Sequence, residues 1–168
     1  MNSCEWCNYK DSKWLIYKSI YWSVYLADVQ DYVGRCILVL NRHCECISDL
    51  NTLEWIDLKS LIDQLEQIYK EVLGAELCNW SCLMNNFYKE TNPNPHLHFH
   101  VRPRYKNPIT INHHSYVDVE FAHHYALKKE PVLIAEDRQV LFEQIKSHFK
   151  LKVKSVDILL SDSEVLRE

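Results

Sequence analysis

The strictest alternation of polar and apolar positions in the chain runs over residues 95–104. There the sequence reads Pro95-His96-Leu97-His98-Phe99-His100-Val101-Arg102-Pro103-Arg104. Side chains of a β-strand point alternately to its two faces, so this pattern predicts a strand with His96, His98 and His100 on one face. Leu97, Phe99 and Val101 fill the other face and suit a core. Two residues of strand rise would set neighbouring histidines about 6.5–7 Å apart, lining a cleft.

Other stretches follow weaker patterns. Residues 14–27 are rich in aromatic and β-branched side chains, which predicts short strands over 13–18 and 21–27. Residues 28–34 read as a loop closed by Gly34. Residues 35–40 are a short apolar run, a buried strand by length, and 41–46 form a loop. The clearest helix spans about 53–73. Asn51 can cap it, Glu54 stands at capping-box spacing, and Gly74 ends it. Ile56, Leu58, Leu61, Ile62, Leu65, Ile68, Tyr69 and Val72 make its apolar stripe, which faces a core. A strand is predicted over 79–84 and a loop over 85–95. Residues 106–131 have no defensible period. Residues 136–149 read as a helix with Val140, Leu141, Ile145 and Phe149 on one side, and 150–168 have no assignment. There is no repeat, low-complexity tract or linker. The order of elements predicts an α+β fold. An antiparallel sheet of about five strands would carry one long helix and a C-terminal helix. The whole would form a single domain over 1–168, with a core at about 4–105 and an extension over 106–168.

Composition narrows the function classes. A chain of 168 residues can bury a real core. A net charge of −4 gives no case for nonspecific nucleic-acid binding. No apolar run approaches the roughly 18 residues of a membrane span. Met1 to Cys7 lacks the basic-then-apolar layout of a signal peptide, so the seven cysteines are expected as reduced thiols or metal ligands in the cytoplasm. With Gly34 and Gly74 as the only glycines, dinucleotide fingerprints, phosphate loops and nucleophile elbows are excluded.

The histidine face has three chemical readings. It is a chance surface pattern, a metal centre, or a site of nucleophilic catalysis by imidazole. Cys4-x-x-Cys7 has the spacing of half a zinc site and equally of a redox pair. Cys36, Cys78 and Cys82 fall in predicted strands and read as buried small hydrophobes. Arg102 and Arg104 read as surface cations or as forks for phosphate. The doublets His113-His114 and His123-His124 read as surface or loop residues. The second, in Phe121-Ala122-His123-His124-Tyr125, is flanked by aromatics that could cap a base pocket.

His96-Leu97-His98-Phe99-His100-Val101 resembles the motif of the histidine triad superfamily, in which three histidines alternate with apolar residues. Arg102 stands where the family's last apolar residue falls. The segment from Gly34 to His43 resembles the family's glycine, strand, basic residue and histidine, and Pro103-Arg104 resembles its Pro-Arg ending. The likeness covers about residues 4–105. It implies a nucleotide hydrolase or nucleotidyl transferase acting on a nucleoside phosphoramidate or dinucleoside polyphosphate through a covalent nucleotidyl-histidine. His98 would be the nucleophile, His100 a donor to phosphate or leaving-group oxygens, and His96 a buttress. Asn85, Asn86 and Arg104 are candidate substrate contacts. So is Asn92, at a position where many relatives carry glutamine. Several relatives pair an N-terminal cysteine motif with two histidines, which implies a structural zinc ion on Cys4, Cys7, His43 and His96. Cys44 and Cys46 could replace a ligand. The family's habit of extending its sheet across two subunits implies a homodimer.

Overall fold

The structure, a computed structural model, describes residues 4–124 and 132–149. A short helix α1 (Glu5–Asn8) precedes strands β1 (Leu15–Lys18), β2 (Trp22–Leu26) and β3 (Cys36–Leu40). Helix α2 (Thr52–Val72) and strands β4 (Leu77–Ser81) and β5 (His98–Arg104) follow. Strands β6 (Ile109–Ile111) and β7 (His114–Tyr116) and helix α3 (Ala135–His148) complete the order. The fold is α+β. Five strands form one antiparallel sheet in the order β1-β2-β3-β5-β4, and β6 and β7 pair as a separate hairpin.

Alternation sorts the sheet into two faces. Trp22, Val24 and Leu26, then Cys36, Leu38 and Leu40, then Leu97 and Val101 are all buried in one core. Leu58, Leu61, Leu65, Ile68 and Tyr69 of α2 complete it. Each fully buried leucine contributes about 1.5–3 kcal/mol relative to exposure. The other face follows from the register. Tyr25 pairs with Ile37, which pairs with His100, and Ser23 pairs with Val39, which pairs with His98. Directly paired residues point the same way, so both histidines share a face with Tyr25 and Ser23.

Helix α2 has the expected capping box. The Asn51 side chain accepts from the Glu54 N–H, and the Glu54 carboxylate accepts from the Asn51 N–H. The same buried carboxylate takes a fork from Arg42, at 2.5 Å from Nε and 2.8 Å from Nη2.

Three boundaries differ from expectation. Strand β4 lies at Leu77–Ser81 rather than 79–84, because pairing sets Leu77 opposite Arg104 and Ser81 opposite His100. The apolar pattern carries no information about that partner. The ladder of β5 begins at His98 rather than His96. Leu97 still bonds through its N–H to the Cys44 carbonyl and through its carbonyl to Leu40, so His96 lies in the approach to the strand. The region without a period, 106–131, contains the β6–β7 hairpin. Its turn residues Asn112 (φ 46°) and His113 (φ 74°) are both left-handed, as a two-residue primed turn needs.

The C-terminal half joins the same core. Ile109 and Ile111 of β6 and Leu141, Phe142 and Ile145 of α3 are buried with the sheet and α2. The fully buried Asp137 accepts from Tyr116, from Asn112 at 3.2 Å and from His114 at 2.9 Å, tying α3 to the hairpin. Next to β1, Trp14 meets Phe142 edge-on at 5.4 Å and Tyr17 stacks on Phe149 at 4.8 Å. Tyr125 and residues 150–168 lie outside the described residues. No described helix is long and apolar enough to cross a membrane.

Candidate active site and metal cluster

Strand β5 lies inside the sheet between β3 and β4; His100 is paired on both sides and His98 with Val39 of β3. His98 is 6 % exposed. Its Nδ1 lies 2.8 Å from the His96 carbonyl, which only accepts, so the proton sits on Nδ1. The His98 Nε2 is left as a lone pair and faces the His100 Nε2 at 3.1 Å. The rings approach to 4.8 Å at nearly a right angle, closer than the strand rise alone would set them. Burial lowers the pKa of His98, against the opposing pull of the His96 carbonyl. That of His100 is pushed down to about 3 by burial, then by His98 and the Arg35 and Arg102 guanidiniums. Both rings are therefore neutral near pH 7, and the unprotonated nitrogen of His98 is the Nε2 that faces His100.

His96 is turned elsewhere. Its Nε2 donates to the Leu40 carbonyl at 2.7 Å, which leaves Nδ1 as the free lone pair. That nitrogen lies 3.1 Å from the Cys4 sulfur and 3.6 Å from the Cys7 sulfur, and the His43 Nδ1 lies 3.6 Å from Cys7. The four ligand atoms of Cys4, Cys7, His43 and His96 all lie within 4.8 Å of one another. Tetrahedral zinc with bonds of about 2.3 Å to sulfur and about 2.0 Å to nitrogen would hold sulfur and nitrogen about 3.5 Å apart. Two thiols and two imidazoles at these separations are a donor set that could hold such an ion. Cys44 stands outside the group, its thiol 3.2 Å from the Cys46 carbonyl.

An aromatic wall surrounds His98. Trp6, between the two cysteines, has its ring 6.3 Å from that of His98, and Phe87 stands 5.8 Å away on another side. Tyr25 backs Trp6 at 6.1 Å, and Tyr9 packs on both. None of these aromatics stands out in the sequence as a site residue. The one available signal was Trp6 itself, which must follow Cys4 and Cys7 wherever they bind.

The other expected contacts divide. Asn85 and Asn86 are exposed on a 3-10 turn spanning Asn85–Lys89, and it is Phe87 of that turn that meets His98. Asn92 is exposed in the following loop. Arg104 requires a correction. It is 1 % exposed and its guanidinium is committed to the protein. Asp118 takes Nε at 2.6 Å and Nη2 at 3.2 Å, and the carbonyls of His123 and Glu120 take one donor each from Nη1 and Nη2. It anchors the segment after β7 rather than offering a fork to phosphate. Arg102 is also buried and lies 3.5 Å from Asp31.

No protein-family model matches the chain, and no curated protein matches it by sequence. Solved structures do match in shape. A histidine triad protein from Marinobacter aquaeolei VT8 superposes with a TM-score of 0.60 at 20 % identity, covering 80 % of this chain and 87 % of that one. The Plasmodium falciparum diadenosine triphosphate hydrolase, solved with cyclomarin A, superposes at 0.57 and 16 % identity, covering 85 % and 80 %. A zinc-bound histidine triad family protein from Mycobacterium smegmatis superposes at 0.50 and 15 % identity, covering 79 % and 84 %. The fold is that of the histidine triad proteins. The chain carries three alternating histidines on and before β5, and its Cys/His cluster turns the first of them away from the other two.

Proposed function

We propose that the protein is a nucleotide hydrolase or nucleotidyl transferase in which His98 attacks the α-phosphorus of a nucleoside phosphoramidate or dinucleoside polyphosphate. The observation that carries this reading is the protonation pattern around His98. Its Nδ1–H is tied to a backbone carbonyl, and its Nε2 keeps the lone pair, facing the His100 Nε2 at 3.1 Å. On attack, the Nε2–P bond forms and the bond from phosphorus to the leaving group breaks, with its electron pair departing on the leaving group. His98 becomes cationic, and the His96 carbonyl stabilises that charge through the existing bond. The His100 N–H donates to phosphate or leaving-group oxygens, and Asn85, Asn86 and Asn92 supply further donors. Water or another acceptor then takes the nucleotidyl group, releasing neutral His98 and a proton. Dividing one displacement into two lowers each barrier.

In this reading Cys4, Cys7, His43 and His96 hold a structural zinc ion, with four protein ligands and no open position. The free cysteines fit a reducing compartment, the cytoplasm. A homodimer would form across β4, the outer strand opposite β1, where Leu77 is exposed. A catalytic metal on the histidines is less favoured. Two imidazoles converge there, whereas catalytic zinc sites keep three protein ligands.

Mass spectrometry after an acid-free quench tests the reading. A nucleotidyl adduct on His98 is expected with an adenosine phosphoramidate or a diadenosine polyphosphate. Full hydrolysis by His98→Ala would overturn it. Binding of adenosine monophosphate with no turnover of any tested nucleotide would point to a binding module instead.

A further inference from the structure

The loop before β3 is held more firmly than a surface turn requires. Gln30, 1 % exposed, accepts from the Gly34 N–H at 2.9 Å and donates to the carbonyls of Ala27 at 2.9 Å and Arg35 at 2.8 Å. The buried hydroxyls of Tyr69 and Tyr105 donate to the carbonyls of Gly34 at 2.8 Å and Val33 at 2.9 Å. Gly34 has φ +87°, and a Cβ there would sit 3.1 Å from Pro103, so the turn needs glycine twice over. What this scaffold presents is Arg35, the residue that leads into β3.

Arg35 is 15 % exposed in its side chain. Its Nη1 donates to Asp31 Oδ1 at 3.1 Å, and its Nη2 lies 3.4 Å from the His100 Nδ1. Asp31 is braced on its other oxygen by Arg102. A guanidinium only donates, so the His100 Nδ1 must accept and the ring proton must sit on Nε2. That N–H points at the His98 Nε2, and His98 in turn donates from Nδ1 to the His96 carbonyl. One proton arrangement satisfies the whole series. With the proton on His100 Nδ1 instead, an N–H would face the guanidinium and two lone pairs would face each other at 3.1 Å.

We propose that Arg35, oriented by Asp31, is a positioning residue that holds His100 with its proton on Nε2, aimed at His98. When substrate enters, that N–H is the donor available to a phosphate oxygen, and the His98 lone pair is released for phosphorus. This last step rests on the reading of His98 as nucleophile; the tautomer does not.

Ring 15N spectra of the full chain, metal-loaded and near pH 7, test the proposal. Wild type should show the proton on Nδ1 of His98 and on Nε2 of His100. In Arg35→Leu, His100 should move to a mixture dominated by the Nδ1–H form, while Arg35→Lys should keep the Nε2–H form. In turnover, Arg35→Leu should lower kcat about 10- to 100-fold with KM changed less than about threefold. A wild-type His100 protonated on Nδ1, an unchanged tautomer in Arg35→Leu, or a rise in KM alone would overturn it. If Arg35→Leu does not fold, the wild-type and Arg35→Lys spectra decide. Expected tautomers in a wild type without turnover would sink the hydrolase reading and leave this one standing.

Discussion

His96 and His98 stand two residues apart and are held in opposite senses. His96 gives its Nε2–H to the Leu40 carbonyl and turns Nδ1 to two thiols. His98 gives its Nδ1–H to the His96 carbonyl and turns Nε2 to His100. In each case one backbone carbonyl ties one ring nitrogen and thereby selects the other for chemistry. The partners differ as well. Those of His98 are the His96 carbonyl, just before β5, and His100 within it. Cys4 caps α1 and Cys7 lies within it, a helix four residues long with none buried. The Cys/His cluster and the packing of Trp6 and Tyr9 on Tyr25 and of Trp6 on His98 hold that arm in place. One half of the histidine motif belongs to the sheet, and the other closes a distant loop of chain.

The two halves should therefore fail separately. His98→Ala should abolish nucleotide hydrolysis by on the order of 10³-fold or more while keeping about one zinc per chain, measured by steady-state kinetics and elemental analysis. Zinc lost along with activity would erase the distinction. Cys4→Ser should do the reverse. It should lose the metal and lower Tm by roughly 10 °C, because the energy of closing a metal site is folding energy. Its hydrolysis should fall less than in His98→Ala, since the sheet still presents His98 and His100. A variant that keeps its zinc and its melting temperature would remove the cluster from the structure's stability.

The contrast between the halves was partly legible in the sequence. His96, His98 and His100 announce themselves because period and residue type are both local. Asn51 and Glu54 predict the start of α2 for the same reason, their bonds closing within three residues. Arg104 was misread because the residue that binds it, Asp118, lies beyond a hairpin with no periodic mark. That hairpin was hidden because its left-handed turn is carried by Asn112-His113 rather than by a glycine pair. Asp31 and Arg35 look like any pair spaced four apart, and only the β3–β5 register brings Arg35 beside His100. Bonds made between neighbours in sequence could be read. Those made by register could not.

Acid should separate the halves more gently. The pKa of His100 is depressed to about 3 by burial, then by His98, Arg35 and Arg102. In the unfolded chain it returns to about 6.5. Between those values the unfolded state holds a proton that the folded state refuses. Stability from this group is therefore full above about pH 6.5 and is lost progressively as pH falls toward 3. Denaturant unfolding from pH 7 to 4 should show a shallower decline in His100→Asn than in wild type. The comparison cancels the loss of zinc on protonation of its ligands, which both proteins share. Equal slopes would mean that His100 is not held neutral by its surroundings.

The smallest effect concerns the boundary of the metal half. Cys44 and Cys46 flank His43 in sequence, so a ligand set including either was open on spacing alone. Among the described residues the cluster excludes both. The thiol of Cys44 is buried and directed at the Cys46 carbonyl, and Cys46 is exposed. Cys46→Ser should keep about one zinc per chain, hydrolyse nucleotide at the wild-type rate and change stability by less than about 0.5 kcal/mol, as surface substitutions do. Loss of zinc in this variant would move the fourth ligand from His43 to Cys46. His43 would then become an exposed imidazole beside Glu45, and the cluster would change from two thiols and two imidazoles to three thiols and one.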